Sequence, residues 1–276
     1  MKKNFLLFAL LGVLTLTFTA CDGNNPDKAY PRKHLIEEFT SQYCGYCPGG
    51  MDAIHTFIGD DPNWVLILHH YGYYADNFSA KGGNTITTQL GVNGAPNITI
   101  DRSVTNYLGS RSALVFGPTY LATTNKEQFS KTTYASIKIE NSYDEGTGYL
   151  DVHVSGNLAK QDHPTLYLTV LIKESGMVDF QADYVHAPSD NVWTEFRHTN
   201  AVRYFLSEPL GDEVFEDSKG NFEADYSIKM LNKWNPDNCS VVAFLNEELK
   251  PVLQVEQAPV IAGTSGGNDI VHGGIK

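Results

Sequence analysis

At 276 residues with 42% hydrophobic content, the chain is long enough to build two cores. Its formal charge is −12 and no basic block interrupts the mixed signs, which argues against a nucleic-acid partner. Without Lys2 and Lys3 the charge falls by two further units, to −14, a balance suited to a body held off an anionic membrane surface.

Lys2 and Lys3 lead into the apolar run Phe5 to Phe18, and Thr19-Ala20-Cys21 follows. A charged start, a hydrophobic stretch too short to span comfortably and small residues before a cut describe a secretory signal over residues 1–20. The cysteine directly after it resembles the lipobox of bacterial lipoproteins, which implies acylation of Cys21 and an N-terminal lipid anchor in a membrane. An ordinary signal with a chance cysteine is the alternative. Residues 21–32, polar from Asp22 to Lys28, read as a lipidated tether. No later stretch is long and apolar enough to cross a bilayer.

Leu35 to Thr40 is branched and aromatic, as a strand should be. Pro48, Met51, Ala53, Ile54, Phe57 and Ile58 fit a helix opened by a first-turn proline, with one buried face. Trp64 to Leu68 reads as a buried parallel strand. This order makes a βαβ unit with Cys44-Gly45-Tyr46-Cys47 at its strand-to-helix corner. A thiol there feels the positive end of the helix dipole, which favours the attacking thiolate, and a second thiol one turn on can resolve the mixed disulfide. In an oxidising compartment the pair is expected to rest as a Cys44–Cys47 disulfide. Zinc would need four ligands, and no second CxxC exists; His69 and His70 read as polar residues at a strand end, so no metal is expected. Alternation puts Glu37 and Glu38 on opposite faces, so one of them should point inward, where a carboxyl of raised pKa could exchange protons with Cys47. The run from His69 to Phe78 reads as a loop packing over the sheet or, more sharply, as an aromatic rim for substrate. Thr119 to Ser130 looks like a further helix.

These residues resemble the thioredoxin superfamily. There, a buried acid stands six residues before the first cysteine, matching Glu38; an aromatic precedes that cysteine, matching Tyr43; and a cis-proline precedes a strand, matching Pro96 in Gly94-Ala95-Pro96-Asn97-Ile98. The resemblance implies catalytic roles for Cys44, Cys47 and Glu38, with Pro96, Ala95, Tyr43 and Tyr46 binding an extended polypeptide.

From about Tyr134 the texture turns to alternation. Strands are expected at Ala135–Glu140, Tyr149–Val154, Leu166–Ile172, Ala201–Leu206, Phe222–Ile228, Cys239–Leu245 and Val252–Gln257. Trp193 and Trp234 are candidate core residues. Cys239 should be a buried, inert thiol. His186, His198 and Asp190 form no defensible constellation.

The expected fold class is therefore an α/β thioredoxin-like N-terminal domain over 33–131, followed by an all-β antiparallel sandwich (Ig-like) domain over 132–262 and a loosely held Gly-rich tail over 263–276. Glu38-Phe39-Thr40 with Cys44 to Pro48, then Trp234-Asn235-Pro236 and Val241 to Phe244, resemble a family of outer-membrane lipoproteins from Bacteroidetes. The resemblance implies the cell envelope, on the periplasmic or surface side. The leading expectation is a membrane-anchored thiol–disulfide oxidoreductase acting on thiols or disulfides of exported proteins, with no cofactor. The alternative is a non-catalytic envelope binding lipoprotein in which the Cys44–Cys47 bridge is structural.

Overall fold

The computed structural model describes residues 28–71, 76–107, 110–112, 115–160, 162–187, 190–247 and 251–275. The expected signal, the tether up to residue 27 and the acylation of Cys21 lie outside them, as do residues 72–75 of the aromatic run. No helix among the described residues is long and apolar enough to cross a membrane.

In the first half, β1 (Tyr30–Pro31) precedes β2 (His34–Thr40), α1 (Cys47–Ile58), β3 (Trp64–His70), α2 (Gly83–Leu90) and β4 (Asn97–Ile100). Next come the short strands β5 (Thr105–Tyr107), β6 (Ser110–Ser112) and β7 (Val115–Phe116), then α3 (Gly117–Thr123), a single 3-10 turn at Lys126–Gln128 and β8 (Thr132–Thr133). The helix expected up to Ser130 thus stops at Thr123, and Asn125 caps the following 3-10 turn by accepting from the Glu127 N–H.

The second half is almost all strand. It runs β9 (Ala135–Asp144), β10 (Tyr149–Leu158), β11 (Tyr167–Glu174), β12 (Met177–Ala182), β13 (Val192–His198), β14 (Ala201–Phe205), β15 (Asp212–Glu213), β16 (Asn221–Lys229), β17 (Cys239–Asn246), β18 (Val252–Pro259) and β19 (Gly273–Gly274). All seven strands expected here form, because each alternates or is continuously apolar over a strand's length.

The expected division into a thioredoxin-like α/β domain and a separate sandwich is overturned. One nine-stranded sheet runs through both halves, in the order β18-β17-β11-β14-β3-β2-β4-β7, with β15 beside β11. The seam is the parallel pair β14 and β3, in register at Ala201 and Leu68, and Leu68 N–H donates to Asn200 O at 2.8 Å. The physical reason is the outer edge of β3, whose unpaired backbone groups are satisfied by β14. One apolar core crosses the seam: Leu35, Phe39, Val65 and Ile67 pack with Leu171, Val202, Val242 and Phe244. No distinct N-terminal domain remains.

The opposite face of β2, β3 and β4 buries Ile36, Leu66, Leu68 and Ile98 against Met51 and Ile54 of α1. In the second half, the three-stranded sheet β16-β10-β9 lays Leu150, Val152 and Val154 over Leu168, Val170, Val241 and Ala243, with Trp234 buried in the same core. Both Glu37 and Glu38 are fully buried, rather than one of the two, because β2 is covered on both faces. Glu37 takes a bidentate pair from Arg102, at 2.7 and 2.8 Å, and meets His69 Nε2 at 3.1 Å.

The C-terminal segment is not loose. β19 pairs with β13, Ser240 Oγ donates to Gly266 O at 3.1 Å, and His272 Nε2 lies 3.1 Å from Asp52 Oδ1.

Candidate functional site: a disulfide at the start of a helix

β2 delivers the chain to a turn in which Cys44 N–H donates to Ser41 O at 3.0 Å and Cys47 N–H to Cys44 O at 3.2 Å. Cys44 and Cys47 form a disulfide, with Cα atoms 5.4 Å apart. Helix α1 begins at Cys47, so Cys44 sits in the turn before it rather than in its first turn. The two sulfur-bearing residues differ in access. Cys44 is half-buried, whereas Cys47 is 1% exposed. Their neighbours Tyr43 and Tyr46 are exposed.

Beside Gly50, which stands in the first turn of α1, lies Glu38. Neither carboxylate oxygen has a hydrogen-bond partner, and burial pushes its pKa well above the ordinary carboxylate value. Burial thus favours its protonated form. A Cβ on Gly50 would come within 2.9 Å of both Glu38 Oε1 and the Pro96 ring. The glycine thus lets α1 rest directly on the acid and on the proline. The Ala95–Pro96 peptide is cis, as the sequence suggested.

No local pattern announces the element that flanks this loop on its other side. Strands β12 and β13 pair antiparallel, and the segment from Phe180 to Tyr184 runs along residues 41–45. Ala182 N–H donates to Gln42 O at 2.8 Å and Tyr184 N–H to Gly45 O at 2.7 Å. Gln42 Nε2 donates to Phe180 O at 3.0 Å, and Gln181 Nε2 to Ser41 O and Cys44 O, each at 3.2 Å. Tyr43 meets the edge of Phe180, and Tyr46 that of Tyr184. The second half therefore builds one wall of the site.

A small cavity of about 20 Å³ lies inside this wall, bordered by Cys47, Thr40, Gln181, His70, His198 and His272. His70 and His198 are buried core groups, not the polar edge residues expected of the first. His70 Nδ1 lies 2.9 Å from Asp76 Oδ2. Burial would raise the Asp76 pKa, but the His70 contact and the Gln42 and Phe78 N–H groups hold it at about 2. Burial, with His70 nearby, lowers His198 to about 3, so His198 is neutral. Its Nε2 lies 3.2 Å from Phe180 O.

Cys239 is free and buried, and burial drives its pKa upward, which fits an inert thiol. His186 contacts Asp52 and Asp183 rather than His198 and Asp190. Among the described residues no cluster of His, Cys, Asp and Glu is arranged to hold a metal ion.

Fold and site together define a strand-rich protein that carries a helix-start disulfide. Residues 83–263 match the family described as outer membrane protein Omp28, and the chain belongs to that family and to the outer membrane. The matched stretch begins after Cys47, so the disulfide site stands outside it. In the solved structure of HBP35 of Porphyromonas gingivalis, 20% identical, the likeness covers 88% of this chain and 80% of that one with a TM-score of 0.66. That is a likeness of fold. A domain of the outer membrane lipoprotein Omp28 from Porphyromonas gingivalis is 18% identical over 46% of this chain and 88% of its own, with a TM-score of only 0.31. No curated protein matches the chain.

Proposed function

We propose that this outer-membrane protein is a thiol–disulfide oxidoreductase acting on exported proteins, with Cys44 as the exchanging sulfur and Cys47 as the resolving one. The observation that carries this reading is the asymmetry of the pair: a half-buried Cys44 ahead of a helix start, and a sealed Cys47 at that start, with Glu38 buried beside Gly50 of the same helix turn. Incoming thiolate attacks Cys44 Sγ, the Cys44–Cys47 bond breaks, and Cys47 leaves as thiolate and takes up a proton. In the reverse direction Cys44 thiolate attacks a substrate disulfide and Cys47 closes the ring, expelling the second substrate thiolate. Glu38 supports this as a buried carboxyl whose raised pKa favours carrying a proton. Pro96 and Ala95 would border the incoming polypeptide on one side, and Tyr43 and Tyr46 would stack on it. A lipid on Cys21 would tether the body to the membrane.

The test is thiol-dependent reduction of insulin by the full-length protein. Turnover that Cys44→Ser abolishes supports the proposal; a rate equal to that without protein contradicts it.

A second reading, a binding lipoprotein with a structural bridge, draws on one observation: the hydrogen bonds from the β12–β13 hairpin hold the loop at residues 41–45 on several backbone atoms. Under it the insulin assay stays blank, and reduction of the bridge lowers stability by about 2–4 kcal/mol.

A further inference from the structure

Cys47 and His70 border the same small cavity, one from the start of α1 and the other from the end of β3. The His70 ring is fixed from one side, with Nδ1 at 2.9 Å from Asp76 Oδ2. Its other nitrogen, Nε2, is buried and has no hydrogen-bond partner. A third member comes from the far end of the chain: His272 borders the cavity, and its Nδ1 is also buried and unpartnered, while its Nε2 contacts Asp52. A space of about 20 Å³ suffices for one water, provided that polar partners surround it. The unpartnered His70 Nε2 and His272 Nδ1, with the sulfur of Cys47, all on residues that border the space, are its candidate partners.

We infer that Asp76, His70 and a single bound water form a proton relay to the sulfur of Cys47, so that the second half-reaction of the dithiol site is served from a histidine side as well as from Glu38. This rests on the oxidoreductase reading above. Asp76 is the positioning residue: its carboxylate fixes the tautomer that leaves His70 Nε2 free to accept. In ring closure, Cys47 S–H gives its proton to the water, which passes one to His70 Nε2. The Cys47 thiolate then attacks Cys44 Sγ, a new Cys44–Cys47 bond forms, and the bond from Cys44 to the substrate breaks. The electron pair of that bond leaves on the substrate thiolate. Opening of the bridge by a substrate thiolate runs the same proton in reverse, onto Cys47.

The groups facing His70 determine its behaviour. Asp76 is anionic, His198 is neutral and stands edge-on with ring centres 5.7 Å apart, and His272 closes the cavity. Asp179, on β12, acts on His198 from outside. His198, Phe196 and Thr199 belong to the second half of the chain, so the relay is complete only because β14 joins the sheet beside β3.

The experiment uses full-length protein in detergent, with Cys239→Ala as background, reduced and then mixed with the chromogenic disulfide dithiobis(nitrobenzoate). The first nitrothiobenzoate released reports attack by Cys44, and the second reports ring closure by Cys47; a Cys44→Ser trace is subtracted. His70→Gln lowers the ratio of second to first release rate at pH 7 by about tenfold or more, and the ratio returns toward that of the parent above pH 9, where hydroxide replaces the base. Asp76→Asn, which keeps the ring in place and disturbs its tautomer, moves the profile in the same direction and serves if His70→Gln does not fold. An unchanged ratio and profile overturns the relay, as does an equal slowing at every pH, which would mark a structural role. Absence of the first release in the parent protein sinks the oxidoreductase reading itself, and the relay with it.

Discussion

Tyr184 donates its backbone N–H to the carbonyl of Gly45 at 2.7 Å, and the Tyr184 ring lies over the face of Gly45 where a side chain would stand. A Cβ at Gly45 would fall 2.6 Å from three ring atoms. Gly45→Ala should therefore lift the hairpin tip and cost about 1 kcal/mol, less than a sealed core overpacking because Tyr184 is half exposed. Hydrogen exchange at the Tyr184 amide should rise, and Tyr184→Ala should cancel most of the stability loss of Gly45→Ala in a double-mutant cycle.

Glu37 and Arg102 form a fully buried ion pair. Burial alone would raise the Glu37 pKa, but Arg102 and then His69 hold it at about 2, below its ordinary 4.5. The lowered value means that this stability is fully present above pH 4.5 and is lost as pH falls toward 2, on the order of 3 kcal/mol. Glu37→Gln should cost about 3–5 kcal/mol near neutral pH, because it leaves Arg102 buried without its counter-charge. Urea unfolding at several pH values checks both statements, and the variant should show a weaker loss of stability on acidification.

Lys173 titrates the seam in the same sense but in a more alkaline window. Its ammonium is buried where β11 and β14 meet β3 and donates to Leu66 O at 3.2 Å and Asn200 Oδ1 at 2.9 Å. Burial lowers its pKa from 10.5 to about 7. Between those values the unfolded chain binds more protons than the folded one, so stability should rise with pH from 7 to 10.5, with a limiting slope of about 1.4 kcal/mol per pH unit. Lys173→Met should flatten that limb in denaturant titrations.

Glu38 gives a further signature. Its raised pKa means that the folded state holds a proton which the unfolded state releases above 4.5, so its ionisation draws stability down as pH rises through that window. Glu38→Gln should remove this decline and stabilise the fold at neutral and alkaline pH, while slowing thiol exchange. A gain in stability together with a loss in exchange rate is the expected pattern, and thermal unfolding beside the insulin assay measures it.

Much of this architecture could be read from local pattern. The CxxC corner and the strands from Ala135 onward follow from spacing within ten residues or so, whereas Glu38 and Pro96 are singled out by the resemblance to the thioredoxin superfamily. What could not be read was pairing between distant strands. Nothing in Ala201-Val202-Arg203 states that its partner is Leu68, since an edge strand and a joining strand carry the same alternation. The hairpin at Met177–His198 was hidden for a related reason. Its burial is uneven and its core is polar, with Gln181, Asp183 and His198 buried by hydrogen bonds rather than by apolar periodicity. The burial of His70 is not legible because a histidine at a strand end gives no hint that β14 and the hairpin will cover it.

The most direct test of the central claim is to map, by mass spectrometry, the adduct that Cys47→Ser forms with an unfolded polypeptide disulfide at neutral pH. The expected result is a mixed disulfide at Cys44 alone, formed faster than a free cysteine peptide at the same concentration reacts with the same disulfide. No adduct at Cys44, in a protein that circular dichroism shows to be folded, would contradict the account and leave the bridge as a staple of the loop it closes.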